Sequence, residues 1–299
     1  MLKYYAVATG LKMFSSGNLA RNLYRFLGNA KNDFSKVTKI PESYYFRSKG
    51  YLGLMTDRNL LKPNLKFLEI GTGWSHWEAL VLRNQIPCTG TLYDVWDNRS
   101  LARLRAYTNL LIDPSVRVRL GINNNDTIEL MRRCSNSSSL EEIYDILGFD
   151  YVVDPRGNID ELAGGDFELI VSSDVAEHFF SEDISKILTN LKKALRPSGH
   201  CYMQIVLTDH LGIYDKSIHP KQYLAFSKKH YDNWLRNGVQ YINCVQVPEW
   251  REAFFAAGFS IVEERVTGRC NLEQIKIHKD WDAFSAQDLE ITVVQFLLQ

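Results

Sequence analysis

One stretch, in which a short apolar strand runs directly into a pair of glycines, constrains the sequence most strongly. Residues 67–75 read Phe-Leu-Glu-Ile-Gly-Thr-Gly-Trp-Ser, and a helix is predicted over residues 74–83. About twenty residues after Gly73, a second predicted strand at residues 90–93 ends in Asp94. Glycines let the backbone turn tightly and approach a ligand, and the N–H groups at a helix start can bind an anion. The stretch therefore predicts the first half of a nucleotide-binding βαβ unit.

Predicted strands and helices alternate along the rest of the chain. Further strands are predicted at residues 150–153, 167–173, 200–206, 259–266 and 291–297. Further helices are predicted at residues 99–112, 139–148, 183–195 and 249–257. Such alternation is typical of a mainly parallel sheet covered on both faces, and the last two strands, which no long helix separates, predict an antiparallel final strand. The expected fold class is α/β, with a doubly wound, mainly parallel seven-stranded sheet.

The residues around the two glycines argue against a dinucleotide ligand. Trp74 stands where a dinucleotide fingerprint continues towards its third glycine, and its indole would crowd a pyrophosphate. Glu69 lies two residues before Gly71, and a cationic ligand would favour an acid at that place. The pattern therefore favours a cationic nucleotide-like ligand over NAD or FAD.

At these residues the chain resembles the class I S-adenosylmethionine (SAM)-dependent methyltransferases. Their first motif is an acid, any residue and Gly-x-Gly, with a third glycine two residues later, where this chain has Ser75. Residues 167–178, which end in Ala-Glu-His, are similar to the family's fourth-strand motif. Residues 191–200 are similar to the helix and turn before its fifth strand. The resemblance covers residues 65–207 and implies a methyltransferase fold with SAM as the cofactor.

The resemblance also implies where the parts of SAM would bind. Asp94 would take the ribose, with Asp97 as the alternative, and Asp154 would contact the adenine amine. Ser173 and Asp174 would lie beside the transferred methyl group, because ligands bind at the carboxyl ends of the strands in such sheets. The candidate ligands of the methionine part are Glu69, Gly71, Thr72, Gly73, Trp74 and Ser75.

Two histidines are the candidates for removing the proton of the methyl acceptor. His210 directly follows the fifth predicted strand, and His178 follows the fourth. An imidazole with a pKa near the working pH can act as general base. With Asp174, these residues are the predicted catalytic set.

A divalent metal is the alternative to a histidine base. Asp174, Glu177 and His178 are spaced i, i+3, i+4, so a helical turn would place all three on one face. This spacing resembles the metal-binding element of ubiquinone-pathway O-methyltransferases and of small-RNA 2′-O-methyltransferases. His210 would complete the ligands, and the metal would lower the pKa of the acceptor's oxygen. We expect the metal-free arrangement.

Composition limits the class of acceptor. The 299-residue chain has 35 basic and 35 acidic residues, whereas proteins that hold long nucleic acids are normally basic. We therefore expect a small-molecule acceptor, most readily an oxygen of a sugar or secondary metabolite, and no nucleic acid. An RNA or protein methyltransferase and a non-catalytic partner with the same fold are the alternatives. A homo-oligomer is left open by the sequence.

No targeting or membrane segment is predicted. The five cysteines are scattered and odd in number, which indicates free thiols in a reducing compartment. No apolar run reaches the roughly 18 residues of a membrane span, and the N-terminus has no clear signal-peptide core. A cytoplasmic location is therefore expected.

The predicted organisation is a cap followed by a large domain. Residues 1–62 would form an N-terminal helical cap, and residues 63–299 the SAM-binding domain, with insertions at about 98–149 and 208–248. The second insertion is rich in aromatic and polar residues and is predicted to form a helical pair that lines the substrate pocket. The first 32 residues contain no acid and five bases, so a basic amphipathic helix on an anionic membrane is the alternative to a cap. Those bases are Lys3, Lys12, Arg21, Arg25 and Lys31.

Overall fold

Seven strands form one sheet in the computed structural model, which describes residues 2–15, 17, 19–20 and 37–299. The strands are β1 (Leu65–Ile70), β2 (Cys88–Asp94), β3 (Phe149–Val153), β4 (Phe167–Ser173), β5 (Leu195–Val206), β6 (Ile261–Arg269) and β7 (Ile291–Leu298). Their order is β3-β2-β1-β4-β5-β7-β6, so the last strand lies between β5 and β6. β1 pairs in parallel with β2 and β4, and β2 pairs in parallel with β3. The sheet as a whole is mixed, and the predicted α/β class is confirmed.

Helices precede, separate and follow the strands. They are α1 (Leu2–Phe14), α2 (Glu42–Asp57), α3 (Trp77–Gln85), α4 (Leu101–Leu110), α5 (Pro114–Leu120), α6 (Asp126–Asn136), α7 (Leu140–Leu147), α8 (Ile184–Ala194), α9 (Val247–Ala256) and α10 (Ala286–Leu289). The ends of α7 follow from its sequence. Ser139 accepts a hydrogen bond from the Glu142 N–H at 3.1 Å, and Gly148 ends the helix in the left-handed conformation.

Several predicted elements differ from the structure. β5 begins at Leu195 rather than at residue 200. Helix α3 begins at Trp77 rather than Trp74, because His76 adopts a left-handed conformation with φ of 47°. The polar run at residues 135–139 predicts a loop, but α6 continues to Asn136, so the loop begins two residues later. The predicted helical pair in the insertion at 208–248 is not formed. That insertion contains short helical turns, at His210–Ile213, Gln222–Ala225, Lys228–His230 and Tyr231–Leu235.

The chain divides into two compact units, each built from three separated segments. We call the first the glycine-loop unit, which comprises Lys31–Ser173, Asn190–Met203 and Leu297–Gln299. We call the second the histidine unit, which comprises Met1–Ala30, Asp174–Thr189 and Gln204–Phe296. The two described helices of residues 1–62 belong to different units, α1 to the histidine unit and α2 to the glycine-loop unit.

The core of the glycine-loop unit surrounds β1. Phe67 and Leu68 are fully buried, as expected for a strand covered on both faces. Trp77 at the start of α3 is also fully buried, and its indole N–H donates to the Ser48 hydroxyl of α2 at 2.7 Å. This bond, together with the packing, fixes α2 against the helix that follows the glycines.

The core of the histidine unit includes the N-terminal helix. Tyr4, Ala8 and Leu11 of α1 are buried in a cluster with apolar residues such as Leu211 and Phe226. These three side chains are covered by the rest of the histidine unit. Arg21, Arg25 and Lys31 of the predicted basic stretch lie outside the described residues. None of the helices in the described ranges has the length and apolar character of a membrane span.

Candidate functional site

The loop after β1 is built on two glycines in the left-handed conformation. Gly71 has φ of 75° and Gly73 has φ of 59°, values that residues with a Cβ rarely adopt. The Gly71 N–H donates to the Tyr93 carbonyl of β2 at 2.8 Å. The loop therefore turns sharply while it remains attached to the neighbouring strand.

Glu69 is a buried carboxyl group at the end of β1. The Thr72 hydroxyl donates to its Oε2 at 3.2 Å. Burial, and next the nearby carboxylate of Glu78, raise the pKa of Glu69 well above its usual range. Glu78 itself pairs with Arg47 at 2.8 Å. A bound cation would stabilise the ionised form of Glu69, so this group can hold the cationic amino group of a ligand.

Asp94 at the end of β2 is tied to the glycine loop. Its Oδ2 accepts from the Gly73 N–H at 2.9 Å and from the Asn98 amide at 3.3 Å, and its Oδ1 accepts from the Trp96 N–H at 3.2 Å. Burial raises the pKa of Asp94, while these hydrogen bonds oppose the rise. A carboxylate offers about four acceptor positions, so Asp94 can hold the loop and still receive a ligand hydroxyl.

Asp97, the alternative ribose ligand, has different surroundings. Asp97 is exposed and forms an ion pair with Arg99 at 2.7 Å. The hydrogen bonds that the Arg99 side chain donates to Asp97 lower the pKa of Asp97. Asp154 is similarly paired with the exposed Arg156, at 3.0 Å, which lowers the pKa of Asp154. Of the three predicted nucleoside ligands, Asp94 is the one that is buried.

A buried histidine supports the glycine loop from the side of the first insertion. His76 Nδ1 lies 3.0 Å from the Thr72 hydroxyl, and His76 Nε2 lies 2.9 Å from the Tyr144 hydroxyl of α7. Burial lowers the pKa of His76 to about 4, so the ring is neutral near pH 7. A chain of contacts thus runs from Tyr144 through His76 and Thr72 to Glu69.

The other predicted ligands in the glycine-loop unit differ in their exposure and in their hydrogen bonds. The Trp74 residue is 40% exposed. The Ser75 hydroxyl donates to the Tyr44 hydroxyl of α2 at 3.2 Å. The Ser173 hydroxyl oxygen is buried and has no hydrogen-bond partner in the described part of the chain. Ser173 can therefore offer a hydrogen bond to a ligand.

Three predicted residues converge in the histidine unit. Ligand atoms of Glu177, His178 and His210 all lie within 4.8 Å of one another, and we call these residues the histidine cluster. The two imidazole rings lie 4.9 Å apart between their centroids. His178 Nδ1 is 2.5 Å from the Tyr241 carbonyl, which leaves its Nε2 for other contacts. Two imidazoles and one carboxylate form a donor set that suits a divalent transition metal.

Both histidines are disposed to remain neutral. Burial, and next the positive charge that His178 can carry, lower the pKa of His210 to about 3. Burial of the ring also lowers the pKa of His178, although part of the residue is exposed, and the Tyr241 carbonyl and then the Asp174 carboxylate oppose the shift. Neutral imidazoles can accept a proton or bind a metal.

Asp174 lies outside the histidine cluster. The prediction that Asp174, Glu177 and His178 share one helical face is wrong. Asp174 has φ of 58°, and the following turn, Ala176–His178, is a 3-10 turn that begins after it. The Asp174 carboxylate instead accepts from the Gln204 amide at 2.7 Å, and Gln204 in turn accepts from Gln295 at 2.8 Å.

A cavity of about 370 Å³ opens in the histidine unit beside Tyr241. The Phe180 and Tyr241 rings pack beside it at a tilt of 44°, with 5.0 Å between centroids, and the Arg236 guanidinium lies 4.6 Å from the Tyr241 ring centre. The cavity is lined by Lys12, Ser15, Phe180, Asp232, Arg236, Asn237, Gly238 and Tyr241. Its volume suits a molecule of one or two rings.

Sequence reasoning missed the residues that hold these groups in place. His76, Tyr144, Gln204 and Tyr241 were not among the predicted site residues. Gln204 stands among apolar residues in the second half of β5, and this signal could have been noticed. His76 and Tyr144 are 68 residues apart, so local spacing could not have paired them.

The sequence matches a known family over most of its length. Residues 44–264 match the family model of a methyltransferase domain. No curated protein matches the sequence.

Several solved structures are similar to the chain at low identity. A SAM-dependent methyltransferase from Clostridium acetobutylicum has 10% identity and a TM-score of 0.47, with 93% of this chain and 98% of that chain covered. The magnesium protoporphyrin IX methyltransferase from Synechocystis has 10% identity and a TM-score of 0.48, with 98% of each chain covered. The cyclopropane synthase from Mycobacterium tuberculosis has 14% identity and a TM-score of 0.47, with 89% of this chain and 87% of that chain covered. The match to the family model is the finding that bears on function.

Proposed function

We propose, since the chain belongs to the class I SAM-dependent methyltransferases, that it methylates an oxygen of a small molecule, most readily a sugar or a secondary metabolite. The observation that carries the proposal is the convergence of His178 and His210 with Glu177. Both histidines follow strands whose carboxyl ends are the usual place for ligands in such sheets. A hydroxyl acceptor needs a group that removes its proton, and these side chains can do so.

The glycine loop and the residues beside it are the proposed binding site for SAM. Glu69 would receive the amino group of the methionine part, and Asp94 a ribose hydroxyl. Ser173 would lie beside the methyl group. The buried state of Glu69 and Asp94 supports these roles, because hydrogen bonds to a charged acceptor in a buried site are strong.

The methyl transfer itself is an in-line displacement. The acceptor's oxygen would attack the methyl carbon, and the carbon–sulfur bond would break to leave S-adenosylhomocysteine. His178 Nε2 would take the acceptor's proton, since its Nδ1 is engaged by Tyr241. His210, whose pKa burial lowers to about 3, would stay neutral and accept a hydrogen bond. Alignment of the reactants supplies much of the rate.

A metal-assisted form is the second candidate, and the donor set favours it. Glu177, His178 and His210 would hold a divalent ion, which would lower the pKa of the acceptor's hydroxyl. The buried Nδ1 of His210 has no hydrogen-bond partner among the described residues, and this fits a ligand atom. Exhaustive EDTA treatment separates the two forms. Loss of turnover that Mg²⁺ or Zn²⁺ restores would establish the metal, and unchanged turnover would eliminate it.

The cavity beside Tyr241 is the proposed acceptor pocket. Tyr241 lines it with its side chain and contacts His178 through its carbonyl, so an acceptor there would lie one residue from the histidine cluster. Its lining includes the cations Lys12 and Arg236 and the acid Asp232. This mixture favours a polar ring compound over a long apolar chain.

The first test is cofactor binding followed by an acceptor screen. Isothermal titration should show binding of SAM and S-adenosylhomocysteine, and absence of both would refute the proposal. Transfer of a labelled methyl group would then be measured across sugars, phenols and total RNA. Labelling of RNA, with affinity that falls steeply with salt, would instead support the nucleic-acid alternative. SAM binding without transfer to any acceptor would support the non-catalytic alternative.

Substitution of the histidines tests their role directly. His178→Ala and His210→Ala should each lower turnover about a hundredfold, in the range of general acid–base catalysis. SAM affinity should remain within about twofold, because the histidines are not among the proposed SAM ligands. A matched control is His219→Ala, whose ring contacts the Asn271 carbonyl outside the cluster. Equal loss of activity in all three variants would point to general destabilisation.

A further inference from the structure

The N-terminal helix is bonded to the residue that precedes His210. Tyr4 of α1 is 2% exposed, and its hydroxyl donates to Asp209 Oδ2 at 2.6 Å. Asp209 is also buried, at 4% exposed. A buried carboxylate needs donors for its oxygens, so this bond is costly to lose. Helix α1 thus makes a strong contact immediately beside the histidine cluster.

Asp209 sets the backbone that carries His210. Its Oδ1 accepts from the Leu211 N–H at 3.0 Å and so caps the turn His210–Ile213. Its own N–H donates to the Pro220 carbonyl at 2.6 Å. His210 lies between Asp209 and Leu211, so the cap fixes the backbone from which the imidazole projects.

The His210 ring has few polar contacts of its own. In the part of the chain that the structure describes, its Nδ1 is buried and has no hydrogen-bond partner. Its ring contact is with His178, at 4.9 Å between centroids. In histidine sites a hydrogen bond to one nitrogen usually fixes the ring orientation and tautomer. Here the backbone turn must do so.

We propose that Tyr4 and Asp209 are positioning residues for His210. The Tyr4 hydroxyl holds the Asp209 carboxylate, the carboxylate caps the turn, and the turn aims the imidazole at the acceptor. Helix α1 is then part of the catalytic apparatus as well as part of the core. The catalytic consequence rests on the proposed function, but the effect on His210 itself does not.

The chain offers a matched control on the same helix. Tyr5 is the neighbour of Tyr4, and its hydroxyl lies 2.9 Å from His230 Nε2 rather than from Asp209. Both tyrosines contact the Phe226 ring, at 5.7 Å for Tyr4 and 6.0 Å for Tyr5. Each can be changed to phenylalanine with loss of one hydroxyl and retention of the ring.

The decisive readout is the NMR signal of the His210 ring. The protein has seven histidines, and His210→Gln identifies the ring signal of His210 in the ¹⁵N-labelled chain. Tyr4→Phe should shift or broaden that signal, whereas Tyr5→Phe should leave it in place. An unchanged His210 signal in Tyr4→Phe would overturn the proposal. This readout needs no methyl acceptor, so it stands apart from the test of the proposed function.

Kinetics and a rescue variant test the catalytic consequence. With an acceptor from the screen, Tyr4→Phe should lower kcat about tenfold, as expected for loss of one strong hydrogen bond, with KM for SAM within about twofold. Adding Asp209→Asn should recover most of the loss, because asparagine keeps the cap oxygen and removes the buried charge that has lost its Tyr4 donor. Failure of the double variant to recover either kcat or the His210 signal would overturn the role given to the cap.

A second pair of variants covers the case in which Tyr4→Phe folds poorly. Asp209→Ala removes the cap and should move the His210 signal. Asp215→Ala removes another acid that pairs with α1, through Lys3 at 3.1 Å, but does not cap the turn. Its His210 signal should match the unaltered protein. A His210 signal that Asp209→Ala leaves unchanged would contradict the proposal.

Discussion

Lys221 is a fully buried lysine whose hydrogen-bond partners are neutral. Its Nζ donates to the Tyr223 hydroxyl at 3.0 Å and to the Gln246 side-chain oxygen at 3.1 Å. Burial lowers the pKa of Lys221 from 10.5 to about 7. Between those two values the unfolded chain binds the proton and the folded chain does not. The burial of Lys221 therefore costs no stability above about pH 10.5, and its cost grows as pH decreases towards 7 and stays constant below.

Lys221→Met should therefore stabilise the protein at low pH. Each pKa unit corresponds to about 1.4 kcal/mol, and the lost hydrogen bonds offset part of the gain. We expect a net increase in unfolding free energy of about 1–2 kcal/mol at pH 6, shrinking towards pH 10. Urea denaturation at both pH values measures the difference. The exposed Lys229→Met is the control, and a gain that did not depend on pH would contradict the explanation.

Asp94 and Asp97 offer a direct comparison of two acids near the end of one strand. Asp94 is buried and bonded to the glycine loop, whereas Asp97 is exposed and paired with Arg99. Asp94→Ala should weaken SAM binding at least tenfold, because it removes charge-assisted hydrogen bonds to the ribose and loosens the loop. Asp97→Ala should change the affinity less than about twofold. Isothermal titration of both variants decides, and the opposite ranking would place the ribose at Asp97.

The Tyr144 hydroxyl of helix α7 is linked to the glycine loop by hydrogen bonds through His76. Tyr144 contacts His76, which contacts Thr72, whose hydroxyl donates to Glu69. Tyr144→Phe breaks the chain at its outer end and leaves one buried nitrogen of His76 without a partner. SAM affinity should fall about three- to tenfold, in line with the loss of one buried hydrogen bond.

Tyr45→Phe is the control for Tyr144→Phe. Tyr45 lies in α2, and its ring faces the Arg119 guanidinium at 3.7 Å. It makes no contact with the chain of residues from Tyr144 to Glu69, so SAM affinity should be unchanged. If the affinity in Tyr144→Phe also stays unchanged, the first insertion does not support the cofactor loop.

The strands were predictable because each is an apolar run bounded by turn residues. β1, β2 and β4 were found within about two residues of their ends, which is the accuracy that such patterns allow. The start of α3 was not predicted correctly, because His76 before it has a left-handed backbone conformation. Histidine adopts that conformation rarely, whereas glycine adopts it often, so the sequence gives no sign of it. The helical pair predicted in the insertion at 208–248 was wrong for another reason. Its aromatic residues pack into a core without forming long helices.

The site was predictable only where its residues stand in local motifs. Glu69 and Asp94 lie at the ends of β1 and β2, and His178 and His210 follow β4 and β5, so the sequence alone singles them out. The pairs Tyr4–Asp209 and Tyr5–His230 join residues 205 and 225 positions apart, so no local pattern reveals them. Asp174 was misplaced because a turn with positive φ interrupts the expected helical face.

Both compact units are discontinuous in the chain. The glycine-loop unit and the histidine unit each draw on three segments. A truncated variant that lacks the last third of the chain would leave α1 without the segments that bury it. Limited proteolysis of such a truncated chain should cut within α1, whereas the full chain should resist cleavage there.

The contact between Tyr4 and Asp209 also places a demand on synthesis. The first helix leaves the ribosome with Tyr4, Ala8 and Leu11 uncovered, and its partner at Asp209 is made 205 residues later. At about 5–20 residues per second, this delay lasts roughly 10–40 s. Throughout that interval the apolar side of α1 is open to chaperones and to other nascent chains. The yield of folded protein should therefore depend on translation speed and on holdase supply more than its final stability would suggest.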